Sequence, residues 1–169
     1  AALLQNGGSG VILLRKAASA CLDLPFGEWE LLHFHGRHCM ERQPERAPLP
    51  HGVQVIGSGR GASSHHHNPF VILAEPHATE TAGECLGALL VYSGSFRIEM
   101  EVSQLHSTRL VAGLGDGTFC WTLAPGETFA APEVLFSYSS DGLGELSRQY
   151  QRFLSGNIIR SVWKNCPRP

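Results

Sequence analysis

The chain is 169 residues long, 43% hydrophobic and 17% charged, the composition of one globular domain with a single sizeable core. Thirteen basic and fifteen acidic residues leave a net charge of -2, without the clustered basic face that nucleic acid requires. No apolar run approaches the roughly 18–20 residues that carry a helix across a bilayer, and nineteen glycines and ten prolines favour many short elements joined by turns.

In chain order, the sequence begins on Ala1 rather than Met and ends abruptly on Cys166-Pro167-Arg168-Pro169, so it reads as a piece of something longer. Val11 to Leu14 is apolar but too short for a signal peptide, and no basic segment precedes it. Leu32 and Phe34 alternate with Leu31, His33 and His35, which places the two sets on opposite faces of a strand. The runs Phe70 to Ala74 and Leu86 to Tyr92 are continuously apolar, the pattern of strands buried on both sides. Phe96, Ile98, Met100 and Val102 share one face while Arg97, Glu99 and Glu101 take the wet one. The period of two recurs at Phe119, Trp121 and Leu123 and again at Val134, Phe136 and Tyr138. Gly and Pro turns separate these runs, so the pattern predicts an antiparallel sandwich. Leu143, Leu146, Tyr150, Phe153 and Leu154 then recur at spacings of three and four, the stripe of an amphipathic helix. Ser140 or Asp141 is the expected N-cap, and Gly156 and Asn157 suit the end. The expected organisation is a β-sandwich over 1–139, a helix over 140–157 and a connector over 158–169. The five cysteines, Cys21, Cys39, Cys85, Cys120 and Cys166, are dispersed without CxxC spacing and read as reduced, buried thiols.

Chemistry-bearing residues are sparse. His33, His35, His38 and Cys39 form an HxHxxHC cluster followed by Glu41. Two imidazoles two residues apart on a strand could share one ion, and the pattern resembles the metal motif of cupins. The competing reading is that these rings hydrogen-bond to neighbouring backbone. His65, His66 and His67 cannot all face one way on a strand and read as part of a hydrogen-bonded loop with Ser63, Ser64, Asn68 and Pro69. Asp116, Glu127, Glu133 and Asp141 lie in loop-like positions, yet no spacing pairs two carboxylates across a sugar; Glu99 and Glu101 read as solvated. Trp29 and Trp163 are candidates for stacking on a sugar ring. No nucleophile elbow, phosphate loop or dinucleotide fingerprint is present.

Several ordered blocks resemble glycoside hydrolase family 36, the α-galactosidases. Arg60-Gly61-Ala62-Ser63-Ser64-His65-His66-His67-Asn68-Pro69-Phe70 is similar to the family's RGxSSHQHNPF, with His66 in place of glutamine. Ala20 to Pro25 resembles ASLDLP, Trp29 to Leu32 and Glu41 to Arg46 resemble an ELL…ERxxER region, and Gly87 to Phe96 resembles GFSLVYSGNF. Trp121, Pro125-Gly126-Glu127 and Pro132-Glu133 fit a W.L.PGE.F.TPE run. The resemblance implies the second part of an N-terminal β-supersandwich: all-β and antiparallel, with one C-terminal amphipathic helix and a linker toward a (β/α)8 barrel outside the chain. It further implies that the catalytic aspartates belong to that barrel, that no catalytic residue or metal ligand is found here, and that no cofactor is required. The parent would hydrolyse terminal α-1,6-galactosides of the raffinose and melibiose type with retention, as a cytoplasmic homo-oligomer free of nucleic acid and membrane. Arg60, Gly61, Ser63, Ser64, His65, His67, Asn68, Pro69 and Phe70 become a structural junction, with Asn68 bridging two backbone segments, so that Asn68→Ala is expected to destabilise the sandwich. The alternatives are a free-standing carbohydrate-binding module and a metal-binding cupin-like protein.

Overall fold

The computed structural model describes residues 2–115, 117, 119–161, 164 and 166. The strands follow the turn punctuation: β1 (Leu3–Gln5), β2 (Ile12–Leu14), β3 (Ala17–Leu24), β4 (Glu30–Arg37), β5 (Met40–Pro48), β6 (Gly52–Ser58), β7 (His67–Ala74), β8 (Cys85–Val91), β9 (Phe96–Val102), β10 (Thr108–Leu114), β11 (Trp121–Leu123), β12 (Thr128–Ala130) and β13 (Glu133–Ser139). A helix, α1 (Gly142–Phe153), comes next and ends in one π-helical turn, Leu154–Ile158. Strand pairing is antiparallel throughout.

A four-stranded sheet in the order β3-β10-β9-β6 faces a five-stranded sheet in the order β13-β8-β7-β4-β5. Phe96, Ile98 and Met100 of β9 and Leu110 and Ala112 of β10 meet Val71, Leu73, Ala88 and Leu90 from the opposite sheet, and all are essentially inaccessible to water. Burying each large side chain of this kind is worth about 1.5–3 kcal/mol, so this layer carries much of the stability. The short pairs β1-β12 and β2-β11 bury Leu123, Phe129 and Ala131 against Ala17 and Leu114, at one end of the four-stranded sheet.

The central strands β7 and β8 are apolar on both faces, and their second face is covered by α1. Leu146 and Tyr150 pack on Ile72, Ala74 and Cys85. Gly87 lets Tyr150 approach, since a Cβ there would lie 2.6 Å from its ring. The phenol donates to the Leu135 carbonyl at 3.0 Å, and burial pushes its pKa up. The start of α1 departs from the sequence expectation, because neither Ser140 nor Asp141 caps it with a side chain. Instead the N–H groups of Gly142, Leu143 and Gly144 donate to the carbonyls of Gly83, Thr79 and Glu80 at 3.0, 2.9 and 3.0 Å. These are orphan donors of a helix start, satisfied here by the loop between β7 and β8. At the other end Gly156 takes no left-handed turn, while Asn157 Nδ2 donates to the Phe153 carbonyl at 3.1 Å.

Two further expectations change. Val134 packs in the inter-sheet core, but Phe136 and Tyr138 on the same face of β13 are 39% and 52% exposed; β13 is an edge strand with a neighbour on one side only. The cysteines are free, but among the described residues Cys85 alone is buried. Burial pushes its thiol up, whereas the others sit on the wet side of strands or in turns.

The docking of α1 on the loop gives a test. Gly142 has φ +79°, and a Cβ there would lie 2.4 Å from the Thr79 carbonyl oxygen. Gly142→Ala is expected to lower the free energy of unfolding by about 2 kcal/mol, read as a lower urea midpoint at unchanged slope.

Candidate functional site

The Arg60–Phe70 block links β6 to β7, and its polar atoms hold the turn. Ser58 Oγ donates to the Ala62 carbonyl at 2.8 Å, the Gly61 N–H to Ser95 Oγ at 2.8 Å, and the Ser63 N–H to the Ser93 carbonyl at 2.7 Å. The His66 N–H reaches Ser64 Oγ at 3.2 Å, and the rings of His65 and His66 stack. Arg60 makes no hydrogen bond among the described residues; its charge holds the half-buried His66 imidazole below its usual pKa. Asn68 does not bridge two segments, because its Oδ1 is buried with no hydrogen-bond partner. Asn68 enters β7 on the side that faces α1, and although Arg42, Ser147 and Gln151 also line that side, none of them donates to it. The block is therefore a junction at its Arg60–His67 end and something different at Asn68-Pro69-Phe70.

Those last residues line an open cleft of about 660 Å3 between α1 and the outer face of the five-stranded sheet. Its floor is aromatic. Phe34 of β4 stacks on Phe70 with ring centroids 6.1 Å apart, and Phe70 meets Tyr150 edge-on at 5.1 Å. Leu32, Pro44 and Leu89 extend the floor, and Leu143, Ser147, Gln151 and Leu154 form the helical wall.

The histidine cluster assembles differently from its spacing. His33 and His35 share a face of β4, but that face turns toward the other sheet, and His38 and Cys39 lie in the β4–β5 hairpin turn. Glu41 accepts from the Cys39 N–H at 2.9 Å and so closes that turn. The partners of His33 and His35 are ones the sequence pattern did not name. Glu45 Oε2 lies 3.5 Å from Nε2 of each, and the ring of His67 lies 6.4 Å from that of His33. Strand register supplies the missing signal, since His33 pairs with Glu45 and His35 with His67. Among the described residues no three His, Cys, Asp or Glu side chains are placed to hold one ion. Burial pushes His33 below its usual pKa, with Glu45 opposing, and its Nδ1 has no hydrogen-bond partner.

The acidic candidates do not converge. Glu127 Oε2 accepts from the Ala124 N–H in a turn, Glu133 opens β13 and Asp141 precedes α1. Glu99 is not simply solvated: Lys16 binds it at 2.9 Å and Arg97 also pairs with it, which holds its carboxyl low. Trp29 is partly buried against the inter-sheet core, and its Nε1 is buried without a partner. Asp116 and Trp163 lie outside the described residues. Two polar anchors escaped the pattern. Asn6 is fully buried, donating to the Gly10 and Leu123 carbonyls and accepting from the Gly8 N–H. Arg46 binds Glu30 at 2.6 Å and the carbonyls of Ala78 and Glu75, tying β5 and β4 to the loop that holds α1. The Asn-Gly-Gly turn at residues 6–8 and the Glu30 and Arg46 positions within the family-like blocks were the available signals.

The chain belongs to glycoside hydrolase family 36: residues 1–124 match the family model described as the glycosyl hydrolase family 36 N-terminal domain. It is 51% identical over 166 residues to the bifunctional alpha-galactosidase/sucrose kinase AgaSK of Mediterraneibacter gnavus, covering 98% of this chain and 18% of that protein. It is 38% identical over 168 residues to the alpha-galactosidase AgaA of Geobacillus stearothermophilus, covering 99% of this chain and 23% of that protein. The solved galactosidase domain of AgaSK superposes with a TM-score of 0.96 at 50% identity, over 99% of this chain and 23% of that one. The crystal structure of AgaA superposes at 0.95 and 38% identity with the same coverages. The chain thus spans about a fifth of the length of these relatives. No described helix is long and apolar enough to cross a membrane.

Two predictions follow from the site geometry. Removing an acceptor that has no partner costs little, so Asn68→Ala is expected to change the unfolding free energy by less than about 0.5 kcal/mol, measured by urea denaturation. This reverses the sequence expectation. For His33, the folded pKa is below the unfolded value, so its stabilising contribution is full above about pH 6.5 and is lost as pH falls through the folded pKa. His33→Gln is expected to flatten the decline in urea midpoint between pH 7.5 and 5.

Proposed function

We propose that this chain is the non-catalytic N-terminal sandwich of an α-galactosidase, and that the bond-breaking residues belong to the part of the parent beyond it. The observation that carries this reading is the coverage. Relatives named alpha-galactosidases match 98–99% of this chain, yet the chain accounts for only 18–23% of their length. Retaining hydrolysis needs two carboxyl groups about 5–5.5 Å apart across the scissile bond. Glu41 and Glu127 instead close turns, and Glu30 and Glu99 are ion-pair partners.

The substrate class follows from the same relatives. Variants of AgaA have been solved in complex with stachyose and with raffinose. The parent of this chain would take terminal α-1,6-galactosides of that type and cleave them through a covalent glycosyl-enzyme intermediate, with net retention. The domain's part is architectural: it stiffens and orients the catalytic region. Its edge strand β13, with Phe136 and Tyr138 exposed, supports a share in subunit contacts of a homo-oligomer. The free thiols suit a reducing compartment, which supports a cytoplasmic parent.

The test is release of nitrophenol from a nitrophenyl α-galactoside by these 169 residues and by a chain extended through the region that follows in the relatives. Turnover in the longer chain only, with NMR showing an α-anomeric first product, is the expected result. Turnover by the 169 residues alone would place the chemistry in the sandwich and overturn the reading.

A further inference from the structure

The mouth between the sheets holds three imidazoles and one carboxylate. His33 and His35 of β4 lie with ring centroids 6.0 Å apart, and the ring of His67, at the start of β7, lies 6.4 Å from that of His33. Glu45 of β5 is the one carboxylate among the groups that act on His33, with Oε2 3.5 Å from Nε2 of both β4 rings. Beside His67, His66 and Arg60 add only positive charge. From the facing sheet, β6 brings Gln54, Val55 and Ile56 to the same hollow, none of them charged. Neutral rings suit this setting and charged rings do not. A neutral imidazole has one donor and one acceptor, whereas an imidazolium must donate from both nitrogens. Nδ1 of His33 and Nδ1 of His67 are both buried with no partner to accept from them. The His33 side chain is 13% exposed and that of Glu45 59%, so water screens the charge that would offset a buried cation.

The strand that carries Glu45 is weakly held. β5 is an edge strand paired with β4 alone, nearly all of its residues are exposed, and neither Pro44 nor Pro48 has an N–H to donate. The next residue, Arg46, binds Glu30 and the carbonyls of Ala78 and Glu75, in the loop that receives the start of α1. We infer that His33, His35, His67 and Glu45 form an acid-operated latch, closed while the rings are neutral, which releases β5 as they charge and with it the grip of Arg46 on the loop beneath α1. Burial holds His33 below its usual pKa, so the closed form loses its advantage as pH falls through the folded value. The opening is local, because β9 and β10 of the inter-sheet core contain no histidine.

The experiment is amide hydrogen exchange of the purified full-length parent at pH 7.5, 6.5 and 5.5, read by peptide mapping and corrected for the intrinsic pH dependence of exchange. One histidine kept neutral until the latch opens changes the opening equilibrium by at most about tenfold over this window. Protection of β5 is expected to fall about fivefold from pH 7.5 to 5.5, with the 75–84 loop following, while β9 and β10 change by less than about twofold. Constant protection of β5, or an equal fall in every strand, overturns the inference. In the parent carrying His33→Gln and His67→Gln together, the fall is expected to shrink below about twofold. In Glu45→Gln it is expected to grow toward the tenfold limit, because no charge then offsets the rings. An undiminished fall in the double variant overturns the inference. Should the double variant not fold, Glu45→Gln decides: a fall no larger than that of the unsubstituted parent overturns it equally.

Discussion

The constraint on which the rest of the architecture depends is that the five-stranded sheet must be buried on both faces. β7 reads Phe-Val-Ile-Leu-Ala over residues 70–74 and β8 reads Leu-Gly-Ala-Leu-Leu over 86–90, with no polar side to turn toward water. One face is met by the four-stranded sheet, whose strands β9 and β10 alternate and so can keep their other face wet. The second face needs a cover that the sandwich cannot itself provide. An amphipathic helix is the shortest element that can supply one. The glycines follow from that demand, since Gly87 admits Tyr150 and Gly142 and Gly144 admit the carbonyls that hold the helix start.

Polar atoms are spent where elements must be fixed relative to one another. Arg46 is the clearest case, because its three branches reach a strand partner and two carbonyls of the loop that in turn accepts from α1. The edge of the sheet, the loop and the helix are thereby one mechanical unit, and a shift in β5 is felt at Gly142. Asn6 does the same for the terminal strand pairs. Against this economy, six described side chains hold a buried atom without a partner, His33 and Asn68 among them. They face different ways: His33 looks into the mouth between the sheets beside Glu45, and Asn68 looks outward into the cleft.

Much of the fold was legible because its signals are periodic. Phe96, Ile98 and Met100 alternate with charges, and that alone fixes which face of β9 is core. The doubly apolar runs of β7 and β8 were equally plain. What could not be read were facts set by tertiary neighbours. Phe136 and Tyr138 have the right alternation for burial, but they lie on an edge strand and stay exposed. Asp141 has the chemistry of a helix cap, but a loop some sixty residues earlier had already supplied the acceptors. The histidines illustrate the same limit at the site. A spacing of two correctly placed His33 and His35 on one face, yet their partners Glu45 and His67 come from adjacent strands, and only register names those.

The family-like blocks divide along the same line. Glu30 and Arg46 belong to neighbouring blocks on the paired strands β4 and β5, and their ion pair is explained inside the domain. The Gly61 to His66 part of the next block is likewise held by turn hydrogen bonds. The exception is Asn68-Pro69-Phe70. Nothing among the described residues uses the Asn68 acceptor, and Phe70 meets Tyr150 edge-on and stacks on Phe34. This end of the block thus belongs to the helix-bearing face of the sheet rather than to the β6–β7 turn, which is why turn chemistry alone accounts for the residues before it and not for Asn68.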